Sequence, residues 1–280
     1  MKKMFSMISR FCLVTGVVVA GSLVASAADG PKMPSALCVA HRGFSSVYPE
    51  NTVASMKGGI EAGTNGNELD VRKSADGVIY LMHDHTMKRY TGEDINPSTL
   101  TMAELRKRDV GAFKGEKFRG EPVATMDEVV ALHVGTGTAP VVELKDGGIE
   151  ADVLAILKKY DMVEKSLIIA FSAPACKKMR ELDENIFIAW LCTRGKEESN
   201  EAYGARIIKT CADCKINAVD MEHSAVTPEL VKMLKDAGLT VMCWTVNNED
   251  RMRACLEAGV DSVTTDCPDK LLKVIAEMKK

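Results

Sequence analysis

The chain has 280 residues, a formal net charge of −3, and 46% apolar against 27% charged side chains. That composition is normal for a globular protein and argues against disorder. An acidic balance makes nucleic acid a poor partner, so none is expected.

At the N-terminus Lys2, Lys3 and Arg10 precede an apolar run from Phe11 to Ala25 that closes on Ala25-Ser26-Ala27. A basic start, about 15 apolar residues and a small-residue site describe a secretory signal peptide over residues 1–27. A membrane span needs roughly 20 such residues. Cys12 lies inside the apolar run and no cysteine follows the small-residue site, which disfavours a lipid anchor. Cleavage leaves residues 28–280, a net charge of −6 and eight cysteines. No other stretch is apolar enough to cross a membrane, so the mature chain is expected to be exported, periplasmic or secreted, with no transmembrane segment.

Short strand-like runs then recur at Leu37–Ala40, Glu68–Val71, Pro140–Leu144, Leu167–Phe171, Ile186–Leu191, Ala218–Met221, Thr240–Val246 and Ser262–Thr265, eight in all. Helical segments at Thr52–Ala62, Glu150–Tyr160, Ala173–Leu182, Pro228–Ala237 and Asn248–Ala258 separate them. Alternation of this kind builds right-handed βαβ units, and eight strands are what a closed parallel (β/α)8 TIM barrel requires. Thr227-Pro228 and Asn51-Thr52 mark helix starts, and Gly238 and Gly259 mark helix ends. One α/β domain over 28–280 is the economical reading.

One run, Val78–His83, follows the Glu68–Arg72 strand after only Ser74-Ala75-Asp76-Gly77. So short a link must be a hairpin. Centring its turn between Ala75 and Asp76 sets Glu68 directly across from His83, a register that a one-residue slip would destroy. The segment 86–121, with Asp94-Ile95-Asn96-Pro97, a short helix at Met102–Lys107 and Lys114-Gly115-Glu116-Lys117, is expected as an insertion over one mouth of the barrel.

The expected strand ends are polar: His41-Arg42-Gly43, Glu68-x-Asp70, His83-Asp84-His85, Glu143-x-Lys145 and Trp244-Thr245-Val246-Asn247. In βα barrels reactive groups collect there. Glu68 and Asp70, two apart on a strand, share a face. With Glu143 from a neighbouring strand they make a hard, oxygen-rich site suited to Mg²⁺ or Ca²⁺. Such an ion would offset charge on a phosphoryl group, Arg42 would offer it a planar fork and Lys145 a point charge. Two histidines suit the proton transfers. His133 and His223 read as packing residues, and His85 is left without a role. Cys211-Ala-Asp-Cys214 is a candidate disulfide or half a metal site, but one such pair without nearby histidines is weak evidence for zinc. Cys38, Cys192 and Cys243 read as small core hydrophobes.

In order, His41-Arg42-Gly43, Pro49-Glu50-Asn51-Thr52, Glu68-Leu69-Asp70-Val71, Asp76-Gly77, His83-Asp84, Glu143-Leu144-Lys145, Trp244-Thr245-Val246-Asn247 and Thr265-Asp266 resemble the glycerophosphodiester phosphodiesterase family over residues 37–272. The resemblance implies a barrel of the phospholipase C-like type that hydrolyses small-molecule glycerophosphodiesters, such as glycerophosphocholine, to glycerol 3-phosphate and an alcohol. It implies Glu68, Asp70 and Glu143 as ligands of one divalent cation, Ca²⁺ or Mg²⁺, His41 and His83 as acid and base, and Arg42 and Lys145 as phosphate ligands. Trp244 would pack against glycerol carbons. The neighbouring glycerol hydroxyl would attack phosphorus first, giving a cyclic phosphate that water opens.

Three rivals share parts of this pattern. A lysophospholipase D or sphingomyelinase D would need an apolar groove, whereas segment 86–121 scatters Phe113 and Phe118 among charges. A non-catalytic binding barrel has no use for both histidines. A glycosidase using Glu68 and Glu143 explains neither Arg42 nor His83.

Overall fold

The computed structural model describes residues 31–34 and 37–279; the expected signal peptide lies outside them. Eight parallel strands form a closed barrel: β1 (Cys38–Ala40), β2 (Gly66–Lys73), β4 (Ala139–Leu144), β5 (Leu167–Ala170), β6 (Phe187–Cys192), β7 (Ala218–Glu222), β8 (Thr240–Trp244) and β9 (Ser262–Thr265). Closure is made by β1, which pairs with β2 through Val39 and Gly66 and with β9 through Val39 and Thr264. A ninth strand, β3 (Ile79–Leu81), runs antiparallel to the upper end of β2.

The helices are α1 (Val53–Ala62), α2 (Lys88–Thr91), α3 (Met102–Leu105), α4 (Met126–His133), α5 (Glu150–Lys159), α6 (Ala173–Leu182), α7 (Asn200–Cys214), α8 (Pro228–Asp236), α9 (Glu249–Glu257) and α10 (Pro268–Met278). The two expected start signals are real: Thr52 caps α1 in a reciprocal pair with Ser55 and Thr227 caps α8 ahead of Pro228; Asn248 caps α9 as well. Each such cap is worth about 1 kcal/mol. Helix α7, fifteen residues long and capped by Ser199, had no counterpart in the strand-and-helix reading.

Strand alternation sorts the core into two shells. Val39, Val141, Leu167, Ile169, Phe187, Leu191 and Met242 point inward and fill the barrel. Leu69, Val71, Val142, Ile168, Val219 and Val263 point outward against the helices. Leu69 is fully buried on the outer side, a burial worth about 2 kcal/mol, while its neighbours Glu68 and Asp70 turn inward. Packing on one face thereby fixes two carboxylates on the other.

The hairpin departs from expectation by one residue. Val71 pairs with Leu81, Arg72 with Tyr80 and Lys73 with Ile79, and Met82 N–H reaches Asp70 O at 3.0 Å. His83 is therefore not across from Glu68. The turn is a three-residue loop: Ser74 N–H donates to Val78 O, Gly77 N–H to Ser74 O, and Gly77 sits at φ 86°. A glycine in the left-handed region after a tight turn is the bulge that a three-residue hairpin uses, and it shifts the pairing by one.

Segment 86–121 has its own small core, in which Met87, Tyr90, Met102, Leu105 and Val110 pack against Tyr80, Met82 and Val123. The described cysteines are free thiols. Cys211 and Cys214 lie in the last turn of α7, where their sulfurs reach the carbonyls of Ala218 and Ala173. Burial pushes the Cys211 thiol up, which suits core packing and not thiolate chemistry.

Candidate active site

The parallel register of β2 and β4 sets Asp70 beside Glu143 and Glu68 beside Val141. As a result Glu68, Asp70 and Glu143 converge, each buried, each offering an oxygen within 4.8 Å of the others. Glu68 Oε1 and Asp70 Oδ1 are buried without a hydrogen-bond partner. Three converging buried carboxylates, two of them with an orphaned oxygen, are costly unless a cation is shared between them, so the donor set fits one hard divalent ion.

Above them, β1 ends in a tight bend that Gly43 permits. Arg42 and Gly43 both take positive φ, 55° and 75°. A Cβ on Gly43 would meet the Ser55 backbone at 2.5 Å. The bend turns the Arg42 N–H onto Glu68 Oε2 at 2.8 Å and brings Arg42 Nε within 3.3 Å of Asp70 Oδ2. Asn51, itself at φ 56°, brackets Asp70: its amide donates to Oδ2 at 2.7 Å and its oxygen accepts Asp70 N–H at 3.0 Å. Lys145 Nζ lies 2.7 Å from Glu143 Oε1 and 3.4 Å from Asp70 Oδ1.

These charges divide the cluster. Burial alone would raise Asp70, but Arg42, Lys145 and the Asn51 amide outweigh it and hold its carboxyl below the usual value. Burial and the neighbouring carboxylates push Glu68 well up, and burial with Asp70 pushes Glu143 up to about 7. Without an ion the cluster thus holds on to protons.

Both candidate acid–base histidines use Nδ1 to meet a carboxylate. His41 Nδ1 lies 2.6 Å from Asp266 Oδ1, and Asp266 also accepts from the Ser45 hydroxyl and the Asn247 amide. His83 Nδ1 lies 2.9 Å from Asp84 Oδ1. Such an arrangement leaves Nε2 of each ring for a reacting group. Burial, with Arg42 and Lys145, lowers His83 from its ordinary value against the pull of Asp70 and Asp84. Although the hairpin register is not the expected one, His83 still reaches the site. Arg72, buried on the same face of β2, donates to the carbonyls of Met82 at 3.2 Å and His83 at 2.8 Å and pairs with Asp146 at 2.6 Å.

His41, Arg42, Glu68, His83, Glu143, Lys145 and Trp244 line one cavity of about 150 Å³ together with Ile169, Phe171, Leu191 and Asp220. Trp244 is half-buried, donates its indole N–H to Asp220 O at 3.1 Å, and meets Phe171 edge-on at 5.5 Å. Every residue expected at the site lines this cavity except Asp70, which lies in the carboxylate cluster that borders it. Larger depressions at the opposite end of the barrel are lined by Lys32, Arg180 and Lys215 or by His133 and Thr138. His133 is taken up structurally by Val129 O and Asn67. His223 is held by Arg251, and His85 is exposed.

A family profile described as the glycerophosphoryl diester phosphodiesterase family matches residues 41–270. The chain belongs to that family. A glycerophosphodiester phosphodiesterase of Caldanaerobacter subterraneus is 31% identical over 250 residues, covering 85% of this chain and 97% of the relative. Among solved structures, an Oleispira antarctica phosphodiesterase in complex with the product sn-glycerol-3-phosphate superposes with a TM-score of 0.76 at 27% identity, over 86% of this chain and 96% of that one. A glycerophosphodiester phosphodiesterase of Thermotoga maritima gives a TM-score of 0.68 at 26% identity, over 85% and 98%. This glycerophosphodiester phosphodiesterase family member is thus an enzyme of the phosphodiesterase class on a TIM barrel.

Sequence reasoning missed several residues at this site. Asp266 stood in a quoted motif without a role, although Thr265-Asp266 follows the last strand as His41 follows the first. Glu50 and Asn51 likewise stood in the Pro49-Glu50-Asn51-Thr52 motif without a role at the site, and Arg72 carries no signal that sets it apart from surface polar residues. Asp220 is fully buried with neither carboxylate oxygen bonded; its only sequence signal was a carboxylate inside a strand-like apolar run.

Proposed function

We propose that this chain is an exported, divalent-cation-dependent phosphodiesterase that hydrolyses glycerophosphodiesters to glycerol 3-phosphate and an alcohol. The observation that carries the proposal is the buried Glu68, Asp70 and Glu143 triad in one cavity with Arg42, Lys145 and two carboxylate-paired histidines. Export, to a periplasm or to the medium, rests on the basic, apolar and small-residue order of residues 1–27.

In this reading Glu68, Asp70 and Glu143 hold one Ca²⁺ or Mg²⁺. The bound ion supplies Lewis acidity toward phosphoryl oxygens. Arg42 and Lys145 grip the remaining phosphate oxygens and stabilise the charge that builds on them. One histidine takes the proton of the neighbouring glycerol hydroxyl as its oxygen bonds to phosphorus. The other protonates the alkoxide as the ester P–O bond breaks. Water then opens the resulting cyclic phosphate with the two roles reversed, so the pair returns to its starting state. Asp266 and Asp84 keep each ring in the tautomer that leaves Nε2 toward the substrate.

Trp244 and Phe171 offer apolar surface to glycerol carbons. The cavity is below the roughly 300 Å³ at which ligand pockets usually begin, which favours a small water-soluble diester over one carrying an acyl chain. The test is hydrolysis of glycerophosphocholine and glycerophosphoglycerol by residues 28–280, with and without EDTA, beside H41A and E68A. Turnover that EDTA abolishes and added Ca²⁺ or Mg²⁺ restores, with losses of at least about 100-fold in both variants, is the expected result. Full activity in EDTA or in either variant overturns the mechanism, and activity on lysophosphatidylcholine alone replaces the substrate class.

A further inference from the structure

Segment 86–121 contributes a side chain that touches the partners of both halves of the site. Arg89, in α2, spreads its guanidinium over two carboxylates at once. Nη1 and Nη2 each meet a Glu50 oxygen at 2.8 Å, while Nε and Nη2 meet the two Asp84 oxygens at 2.8 and 3.1 Å. Glu50 in turn accepts Arg42 Nη1 at 2.7 Å, and Asp84 is the carboxylate on His83 Nδ1. A continuous chain therefore runs Arg42, Glu50, Arg89, Asp84, His83. Its two ends are the phosphate-binding arginine and one of the acid–base histidines.

Arg89 is itself held. Its guanidinium carbon lies 4.3 Å from the Tyr90 ring centre and 5.8 Å from that of Phe113, the two rings meet edge-on at 5.2 Å, and Tyr90 OH donates to Glu50 at 3.0 Å. Tyr90 is buried in the small core of the segment. Only a planar fork can serve two carboxylates in this way, and a lysine ammonium cannot. Exposed ion pairs contribute little to stability. What marks this one is that both acceptors are already committed to residues of the site.

We propose that Arg89 is a positioning residue for the phosphodiester reaction, fixing Arg42 and His83 relative to one another through Glu50 and Asp84. The inference rests on the reaction assigned above. It makes the insertion a brace for the centre, beyond a cover for its mouth.

The experiment measures kcat and KM on glycerophosphocholine for the unaltered chain and for R89M, R89K, D84N and R89M/D84N, with thermal unfolding of each. R89M is expected to lower kcat by about 10- to 100-fold, the cost of misplaced groups, with Tm within a few degrees. R89K should recover less than a tenth of that loss. In the D84N background R89M should cost less than about 3-fold, because residues acting as one unit are non-additive. R119M, which breaks the exposed pair of Arg119 with Glu116 in the same segment, should leave kcat unchanged. Activity of R89M within 2-fold of the unaltered chain, full rescue by R89K, or simple multiplication of the R89M and D84N losses overturns the inference. Should R89M fail to fold, R89K decides: a loss of about 10-fold supports the brace and no loss removes it. An unaltered chain that hydrolyses no glycerophosphodiester overturns the assigned reaction and the brace together, whereas turnover indifferent to Arg89 overturns the brace alone.

Discussion

Lys145 Nζ lies 2.7 Å from Glu143 Oε1, so a fixed positive charge stands against one of the three carboxylates proposed to hold the cation. The same ammonium that would grip phosphate therefore repels the ion beside it. K145M is expected to lower kcat/KM by about 100-fold or more through loss of transition-state charge. It should at the same time tighten divalent-cation binding several-fold, since removing a like charge at this range favours the ion. Calorimetric titration of Ca²⁺ at several pH values, extrapolated to the deprotonated cluster because Lys145 itself holds Glu143 down, checks the second half. Unchanged or weaker binding would show that Lys145 does not oppose the ion.

The carboxylate cluster should also set the pH dependence of stability in the ion-free protein. Glu143, pushed up to about 7 by burial and Asp70, lies above its unfolded value. Its contribution is fully present below about pH 4 and is lost as pH rises through 7. His83, His133 and His223, lowered by burial, act with the opposite sign below about pH 6.5. Comparison with E143Q isolates the carboxylate. The unfolding free energy of the unaltered chain relative to E143Q should fall between pH 5 and 7.5 by on the order of 3 kcal/mol. Added Ca²⁺ or Mg²⁺ should abolish the fall. A difference flat with pH in EDTA would remove Glu143 as the titrating group.

Asp266 should matter to rate more than to stability. D266N keeps the shape of the side chain but presents the amide or a neutral oxygen to His41 Nδ1, disturbing the tautomer that leaves Nε2 toward the substrate. A fall in kcat of about 100-fold or more with Tm within a few degrees is expected. The measurement is kcat beside a melting curve, and a large Tm loss with unchanged kcat would assign Asp266 to scaffolding.

Gly43→Ala tests the bend that carries Arg42. The added Cβ would meet Ser55 backbone at 2.5 Å in a residue at φ 75°. The strand end must move, taking the Arg42 N–H off Glu68. Loss of activity should exceed the loss of stability, which backbone strain of this kind puts at about 1–3 kcal/mol. Kinetics and denaturant unfolding on one preparation give both numbers.

What could be read from the sequence followed locality. Strand and helix periods are short-range, so all eight barrel strands and five helices were found within a few residues of their bounds. Glu68 and Asp70 share a face by strand geometry alone. The hairpin was missed by one residue because the left-handed Gly77 makes a three-residue turn where a four-residue link was counted. The contacts that finish the site were invisible for a different reason. Asp266 meets His41 across 225 residues of sequence, and Arg89 meets Glu50 across 39. Such pairings depend on barrel closure and on how segment 86–121 docks, neither of which leaves a period in the sequence.

Closure of the barrel by β1 against β9 has a consequence in time. His41 stands at the end of the first strand and its carboxylate just after the last, so a growing chain carries one half of that dyad long before the other exists. Until the final strand docks, His41 lacks its anchor, the Ser45 and Asn247 bonds to Asp266 are missing, and the barrel still has an open edge. The His41–Asp266 dyad therefore needs the first and the last strand together and forms only in a chain whose final strand has docked.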